Sequence, residues 1–280
     1  MAMKKYILLA LLVLSVFLFV FFRSEPEKPA PQKILRIGVE CDYAPNNWEE
    51  HRHSEFNIPL ANHEGYYAEG YDIQIARLVA SELNAMLEVR KIPWNDLIPA
   101  LNRGEIDAIF SGMLDTTERR EQAAFSDTYE ISKTEYTIIV NDASLYAGSK
   151  KFTDFRGAKL IAQRGTNLDR AIDQVPGAVH VQPVETVQEM LDSVVSGKVD
   201  GAVINLDVGR SYEATHRNLK VIRFPEGEGF VLGFNGICAG VRKEDADLLK
   251  GINRALNGIS RSRRQKIMDE TVSRLWKSIS

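Results

Sequence analysis

Two arginines, Arg119 and Arg120, stand where a helix is about to begin, in the stretch SGMLDTTERREQAAFSD at residues 111–127. The first turn of a helix carries partial positive charge on its unpaired N–H groups, so acids are favoured there. A basic pair at that end is locally unfavourable unless an anion arrives. The chemistry on offer is therefore capture of a negative group, and a planar guanidinium matches a carboxylate with two parallel hydrogen bonds. The competing expectation for Arg119 is a surface ion pair with Glu118 or Glu121, and Arg120 is expected to be solvated.

Other chemistry is poorly supported. The 280 residues show no Ser/His/Asp or Cys/His arrangement and no phosphate loop, and the glycines of GEGFVLGFNG do not follow a strand in dinucleotide spacing. Glu40 without a second acid or base is a weak case for catalysis. No enzyme and no cofactor are expected. The stretch 49–67, EEHRHSEFNIPLANHEGYY, holds His51, His53 and His63. A three-histidine metal site is the alternative there, but the expectation is a solvated loop and no metal. The two cysteines, Cys41 and Cys238, are read as buried thiols, with a single bridge between them as the alternative. With 35 basic and 38 acidic residues the net charge is −3, so no broad basic field exists to hold nucleic acid. Small molecules or proteins are the expected partners.

At the N-terminus Lys4 and Lys5 precede an unbroken apolar run over 6–22, followed by Arg23 and a Pro- and charge-rich stretch over 24–33. That is an export signal with its positive end kept inside. Neither a small-x-small cleavage pair nor a lipid-accepting Cys follows it, and the run is nearly long enough to span a bilayer. The expectation is an uncleaved membrane anchor and a linker, with the rest outside the cytoplasm; a cleaved signal is the alternative.

The elements that must position the arginines alternate. Residues 34–40 read as a strand. Tyr71, Ile75, Leu78, Val79, Leu83 and Met86 recur at helical spacing, with Ser81–Leu83 near the end of that helix, and 97–103 is a short helix stopped by Gly104. Residues 106–110 and 159–162 read as strands, 168–174 and 187–196 as helices, 199–204 as a strand, and 244–259 and 264–278 as terminal helices. Such alternation indicates α/β layers. One internal echo stands out. LNRGEIDAIF (101–110) and VSGKVDGAVI (195–204) share a helix end, a Gly, a charged residue, an apolar one, an Asp and a buried strand. Two similar lobes would produce it, although helix–Gly–strand is common enough to recur by chance. Ligands in open α/β sheets bind beyond the carboxyl ends of the strands, so Ser111, Gly112 and Asn205 would all reach one cleft.

In order along the chain, RIGVECDYAP, GYDIQIARLVASEL, WNDLIPALNRGEIDAIFSGM, TTERREQAAFSDTY, FRGAKLIAQRGTN and SGKVDGAVIN resemble family 3 of the extracellular solute-binding proteins, the polar amino-acid receptors of ABC importers. The resemblance covers roughly residues 34–280. It implies an α/β fold of two lobes, of the type II periplasmic-binding-protein kind, each lobe an α/β sandwich, joined by a two-segment hinge. Lobe one would take 34–133 plus 233–280 and lobe two 134–232, after the anchor and linker at 1–33. The crossings fall near 132–137 and 224–234.

The resemblance also assigns roles. Arg119, six residues before Phe125, matches the arginine that grips a ligand α-carboxylate. Ser111, Gly112 and the backbone around Met113 would add polar contacts, whereas Leu114 stands where many relatives carry a hydroxyl or an acid. Tyr43 and Trp94 sit where the family sandwiches the ligand side chain, unless they are ordinary core aromatics. Glu40 matches an acid facing the distal end of cationic ligands, or simply closes its strand in water. Thr166 and Asn167 would offer a hydroxyl and a backbone N–H to the carboxylate, or only cap their own helix. Asn205 departs from the Asp or Glu that usually neutralises the ligand ammonium, five residues after Asp200.

The resemblance thus implies a receptor that captures a small amino-acid-like ligand and delivers it to ABC permease transmembrane subunits. It would act as a monomer outside the cytoplasm, held to the membrane by its N-terminal segment. The alternatives are a membrane-anchored ligand sensor and an enzyme like the cyclohexadienyl dehydratases on this fold.

Overall fold

Both echo units build the same device. Asp107 Oδ2 accepts the Arg36 N–H at 3.0 Å while Asp107 N donates to Arg36 O at 2.7 Å. In the second unit Asp200 Oδ2 accepts the Lys159 N–H at 2.7 Å and Asp200 N donates to Lys159 O at 2.9 Å. Each Asp ties the start of its own strand to the start of the parallel neighbour. The glycine three residues earlier, Gly104 or Gly197, turns the chain with φ near 73°, a region open to glycine at little cost. The echo is thus a repeated structural unit.

The computed structural model describes residues 33–129, 135–232 and 236–279. The expected anchor, most of the linker and parts of both expected crossings lie outside the described residues. The first half of the chain runs β1 (Lys33–Val39), β2 (Asp42–Tyr43), β3 (Asn47–Glu50), β4 (Ile58–Pro59), β5 (Tyr67–Glu69), α1 (Tyr71–Glu82), β6 (Ala85–Lys91), α2 (Leu97–Asn102), β7 (Ala108–Ile109), α3 (Thr117–Arg120) and β8 (Ala124–Thr128). It continues with β9 (Tyr136–Asn141), β10 (Lys159–Ile161), α4 (Asn167–Ala171), β11 (Val179–His180), α5 (Val187–Val195), β12 (Gly201–Asn205), α6 (Leu206–Thr215), β13 (Leu219–Val221), β14 (Cys238–Val241), α7 (Ala246–Asn257) and α8 (Arg261–Ile279).

Two five-stranded sheets carry the fold, in the orders β6-β1-β7-β14-β8 and β11-β10-β12-β9-β13. In each, the strands of the echo pair in parallel, β1 with β7 and β10 with β12. A strand from the far side of the expected crossings closes each set antiparallel: β14 on β7, and β9 on β12. The carboxyl ends of the parallel strands deliver Glu40, Ser111, Gln163 and Asn205, the residues that the site needs.

Several local expectations are corrected. The helix at Tyr71 ends at Glu82, within the expected Ser81–Leu83, but Asn84 takes a left-handed φ of 50° and turns the chain, so Met86, counted in the helical pattern, lies in β6 and is exposed. The stretch around the three histidines is no plain loop: it contributes to a small four-stranded sheet in the order β2-β3-β5-β4. There the His63 ring stacks on Tyr66 and its Nδ1 lies 3.0 Å from Glu49, while His51 and His53 lean on Tyr66 and Tyr67. Of the expected crossings, Tyr136 and Thr137 belong to β9, and Phe224 and Phe230 pack with Phe152 in an aromatic cluster. Cys41 and Cys238 are both buried, and no disulfide joins them.

Candidate ligand-binding site

A buried acid prepares one wall of the site. Asp72, fully enclosed near the start of α1, accepts from Tyr129 Oη at 2.7 Å and from Asn47 Nδ2 at 2.8 Å, and also takes the Gly112 N–H. Asn47 Oδ1 in turn holds the Cys41 N–H at 2.9 Å. Two turns, one after β1 and one after β7, are thereby pinned to one carboxylate. Gly112 has φ of 60°, and a Cβ there would lie 3.1 Å from the Tyr43 ring, so only glycine lets the aromatic lie against this loop.

Across the gap, a cavity of about 470 Å³ including its opening is lined by residues of both sheets. Of the residues singled out in the sequence, Glu40, Tyr43, Trp94, Ser111, Gly112, Leu114, Arg119, Thr166, Asn167 and Asn205 line it. Met113 does not: its side chain is buried beside Ile92, Leu97 and Ile109, and its carbonyl accepts from Cys238 N at 2.9 Å. Sequence reasoning passed over Gln163, Tyr136, Leu168 and Ile237, which complete the lining. Gln163 was visible in QRGTN, two residues past its strand as Ser111 is past its own, and that parallel was the signal.

Arg119 is 7% exposed. Its backbone N–H is capped by Thr116, NH1 donates to Leu114 O at 2.8 Å, and NH2 reaches Gly165 O at 3.4 Å. The guanidinium carbon lies 5.0 Å from the Trp94 ring centroid, so one face of Trp94 is taken by the arginine. Neither expected acid pairs with it: Glu118 reaches across to Arg170 at 2.6 Å. Among the described residues no carboxylate lies within ion-pair distance of Arg119. Burial lowers its pKa to about 10, with Tyr136 opposing the shift and Arg170 adding to it. A buried cation without a counter-charge is costly, and an arriving carboxylate would relieve that cost. Arg120 differs from the solvated side chain expected, since it pairs with the buried carboxylate of Asp115 though itself exposed.

Further contacts join the two halves of the cavity. Trp94 Nε1 donates to Gly165 O at 3.2 Å, and Asn95 Nδ2 to Glu185 at 3.0 Å. Gly165, with φ of 72°, makes this approach possible, because a Cβ there would stand 2.2 Å from Asn95 Oδ1. Thr166 is committed to its own segment: its hydroxyl donates to Gln163 O at 2.7 Å and accepts the Asp169 N–H as the cap of α4. Asn167 Oδ1 accepts from Arg170, while its buried Nδ2 has no partner among the described residues. Asn205 Oδ1 caps α6 through the Asp207 N–H at 2.9 Å. Ser111 Oγ accepts the Glu40 N–H at 3.0 Å, leaving its proton for a ligand.

Glu40 is 6% exposed and hydrogen-bonded to Gln163 Nε2 of the opposite sheet. Burial pushes its carboxyl up to about 8, with Asp42 adding and Gln163 and Lys91 opposing. The folded protein holds this proton more tightly than the unfolded chain. The stability it contributes is therefore present below about pH 4.5 and lost as pH rises through about 8. Between about pH 6 and pH 8.5 the ligand-free protein should lose roughly 2–3 kcal/mol of unfolding free energy relative to Glu40→Gln. The substituted side chain still offers Gln163 an oxygen. Urea unfolding of both proteins at the two pH values checks this.

A cavity between two α/β sheets, with an uncompensated arginine on one wall and helix caps on the other, is what a solute receptor needs. The chain matches the family model of bacterial extracellular solute-binding proteins, family 3, over residues 35–272. It belongs to that family. An L-arginine-binding protein of Pseudomonas aeruginosa is 28% identical, covering 92% of each chain. A probable histidine-binding protein of Neisseria gonorrhoeae is 27% identical over 94% of this chain and 92% of its own. The crystal structure of the substrate-binding protein of an amino acid ABC transporter superposes with a TM-score of 0.70 at 25% identity, covering 85% of this chain and 98% of that one. The two-lobed type II fold and the receptor reading are both borne out: this family 3 protein is an extracytoplasmic solute-binding receptor serving an importer.

Proposed function

We propose that the solute is amino-acid-like and that its carboxylate docks on Arg119, fixing it between the lobes before delivery to an ABC permease. The observation that carries this reading is the buried Arg119 guanidinium, held by Leu114 O and the Trp94 face and lacking a carboxylate among the described residues. Ser111 and Asn167 supply further donors, while Tyr43 and Trp94 provide apolar contact. Lobe one takes 34–133 plus 233–280 and lobe two 134–232, which close on the solute as a monomer. Binding proceeds without turnover. The apolar run at 6–22 stays uncleaved and anchors the protein outside the cytoplasm; a mature protein whose N-terminal sequence begins after residue 22 would overturn that part.

The test is a thermal-shift screen against amino acids, with the arginine and histidine of the relatives' names included, together with opines and short peptides. A ligand that binds only the native state raises its melting temperature. Isothermal titration of the hits should then give micromolar or tighter binding and unaltered solute. A product formed in the same mixture would replace the receptor with an enzyme.

A further inference from the structure

Arg119 and the buried Asn167 Nδ2 both point to an incoming acceptor. Asn205 adds to them. Its Oδ1 is occupied by the Asp207 N–H at 2.9 Å, so the other end of the same amide is an N–H₂ donor. Glu40 is the one carboxylate among the lining residues, and it holds Gln163. A free ammonium beside Asn205 would meet this donor end of the amide, and the nearby Asp207 faces the second cavity and pairs with Arg210.

A second observation concerns what lies behind that residue. Asn205 and Ile237 also line a second cavity, about 1160 Å³ including its opening, walled by Asp207 and Arg210 of α6 and by Met268, Val272 and Trp276 of α8. The two residues are a partition shared by both spaces.

We propose that the solute is an amino acid acylated on its α-nitrogen. Its carboxylate sits on Arg119, its acyl carbonyl accepts from Asn205, and its acyl chain points along the partition toward the second cavity. The inference rests on the carboxylate reading of Arg119. Acylation removes an ammonium that would face the Asn205 N–H₂ and supplies an acceptor for it.

The test is calorimetric titration of the whole protein with L-arginine, L-glutamine and their Nα-acetyl derivatives. The acetyl form should bind at least about tenfold more tightly than its parent in any pair that binds. Asn205→Asp should reverse the order, since Asp still caps α6 and brings a second, charged oxygen for a free ammonium. A parent amino acid binding as tightly as its acetyl form, or more tightly, would overturn the inference, as would no binding by all four. If the parent binds better and Arg119→Ala abolishes that binding, the receptor reading survives and only the acyl ligand is lost. Binding that persists in Arg119→Ala would remove both.

Discussion

Replacing Arg119 with Ala should weaken binding of any solute found for the wild-type protein by at least about 100-fold, through loss of a two-pronged, charge-assisted contact worth roughly 3 kcal/mol. The variant should fold as well as the parent or better. The guanidinium is buried with its pKa lowered to about 10, chiefly by burial, and removing it removes a desolvation cost as well as the hydrogen bond to Leu114 O. The two readouts together are decisive. Lost binding with an unchanged or higher melting temperature assigns Arg119 to the ligand. Lost binding with a melting temperature lowered by more than about 5 °C would assign it to structure.

The second large effect concerns Asp72. Asp72→Ala should cost roughly 3–5 kcal/mol in urea unfolding, because it strands three buried donors: Tyr129 Oη, Asn47 Nδ2 and the Gly112 N–H. Asp72→Asn keeps the shape and an oxygen, so its cost should be smaller. Burial raises the Asp72 carboxyl to about 6, with its three hydrogen bonds opposing. The stability it contributes is then present below about pH 3.8 and lost as pH rises through about 6. Affinity should fall in Asp72→Ala even where the protein remains folded, since Gly112 sets the loop on which Tyr43 lies. A folded Asp72→Ala protein with wild-type affinity would separate this network from the site.

The sequence was most legible where a residue type had a single physical use. Asp107 and Asp200 stood out as an echo because each follows a helix-stopping glycine, and both close the same ring of hydrogen bonds between parallel strands. Arg119 was singled out because its charge opposed an expected helix start, but the helix spans only Thr117–Arg120 and both arginines fall in its last turn, where positive charge is favoured. What stayed hidden had no period to show. β2, β4 and β11 have two residues each, too few for alternation to register. β9 was obscured because the expected crossing ran into Tyr136 and Thr137, and because YTIIVN is buried nearly throughout rather than alternating. The helix α6 escaped because Asn205 was weighed as a ligand contact, whereas its side chain also starts that helix. The Asp72 network joins residues 25, 40 and 57 positions away from it in sequence, and no local pattern carries such pairings.

The central claim is that a carboxylate meets the Arg119 guanidinium inside the interlobe cavity. The most direct measurement is calorimetric titration of the wild-type protein with its best solute and with the same solute as its carboxamide, identical in shape but without the charge. The carboxamide should bind at least about 100-fold more weakly. Equal affinity for acid and amide would contradict the account, because Arg119 would then be facing no charge at all.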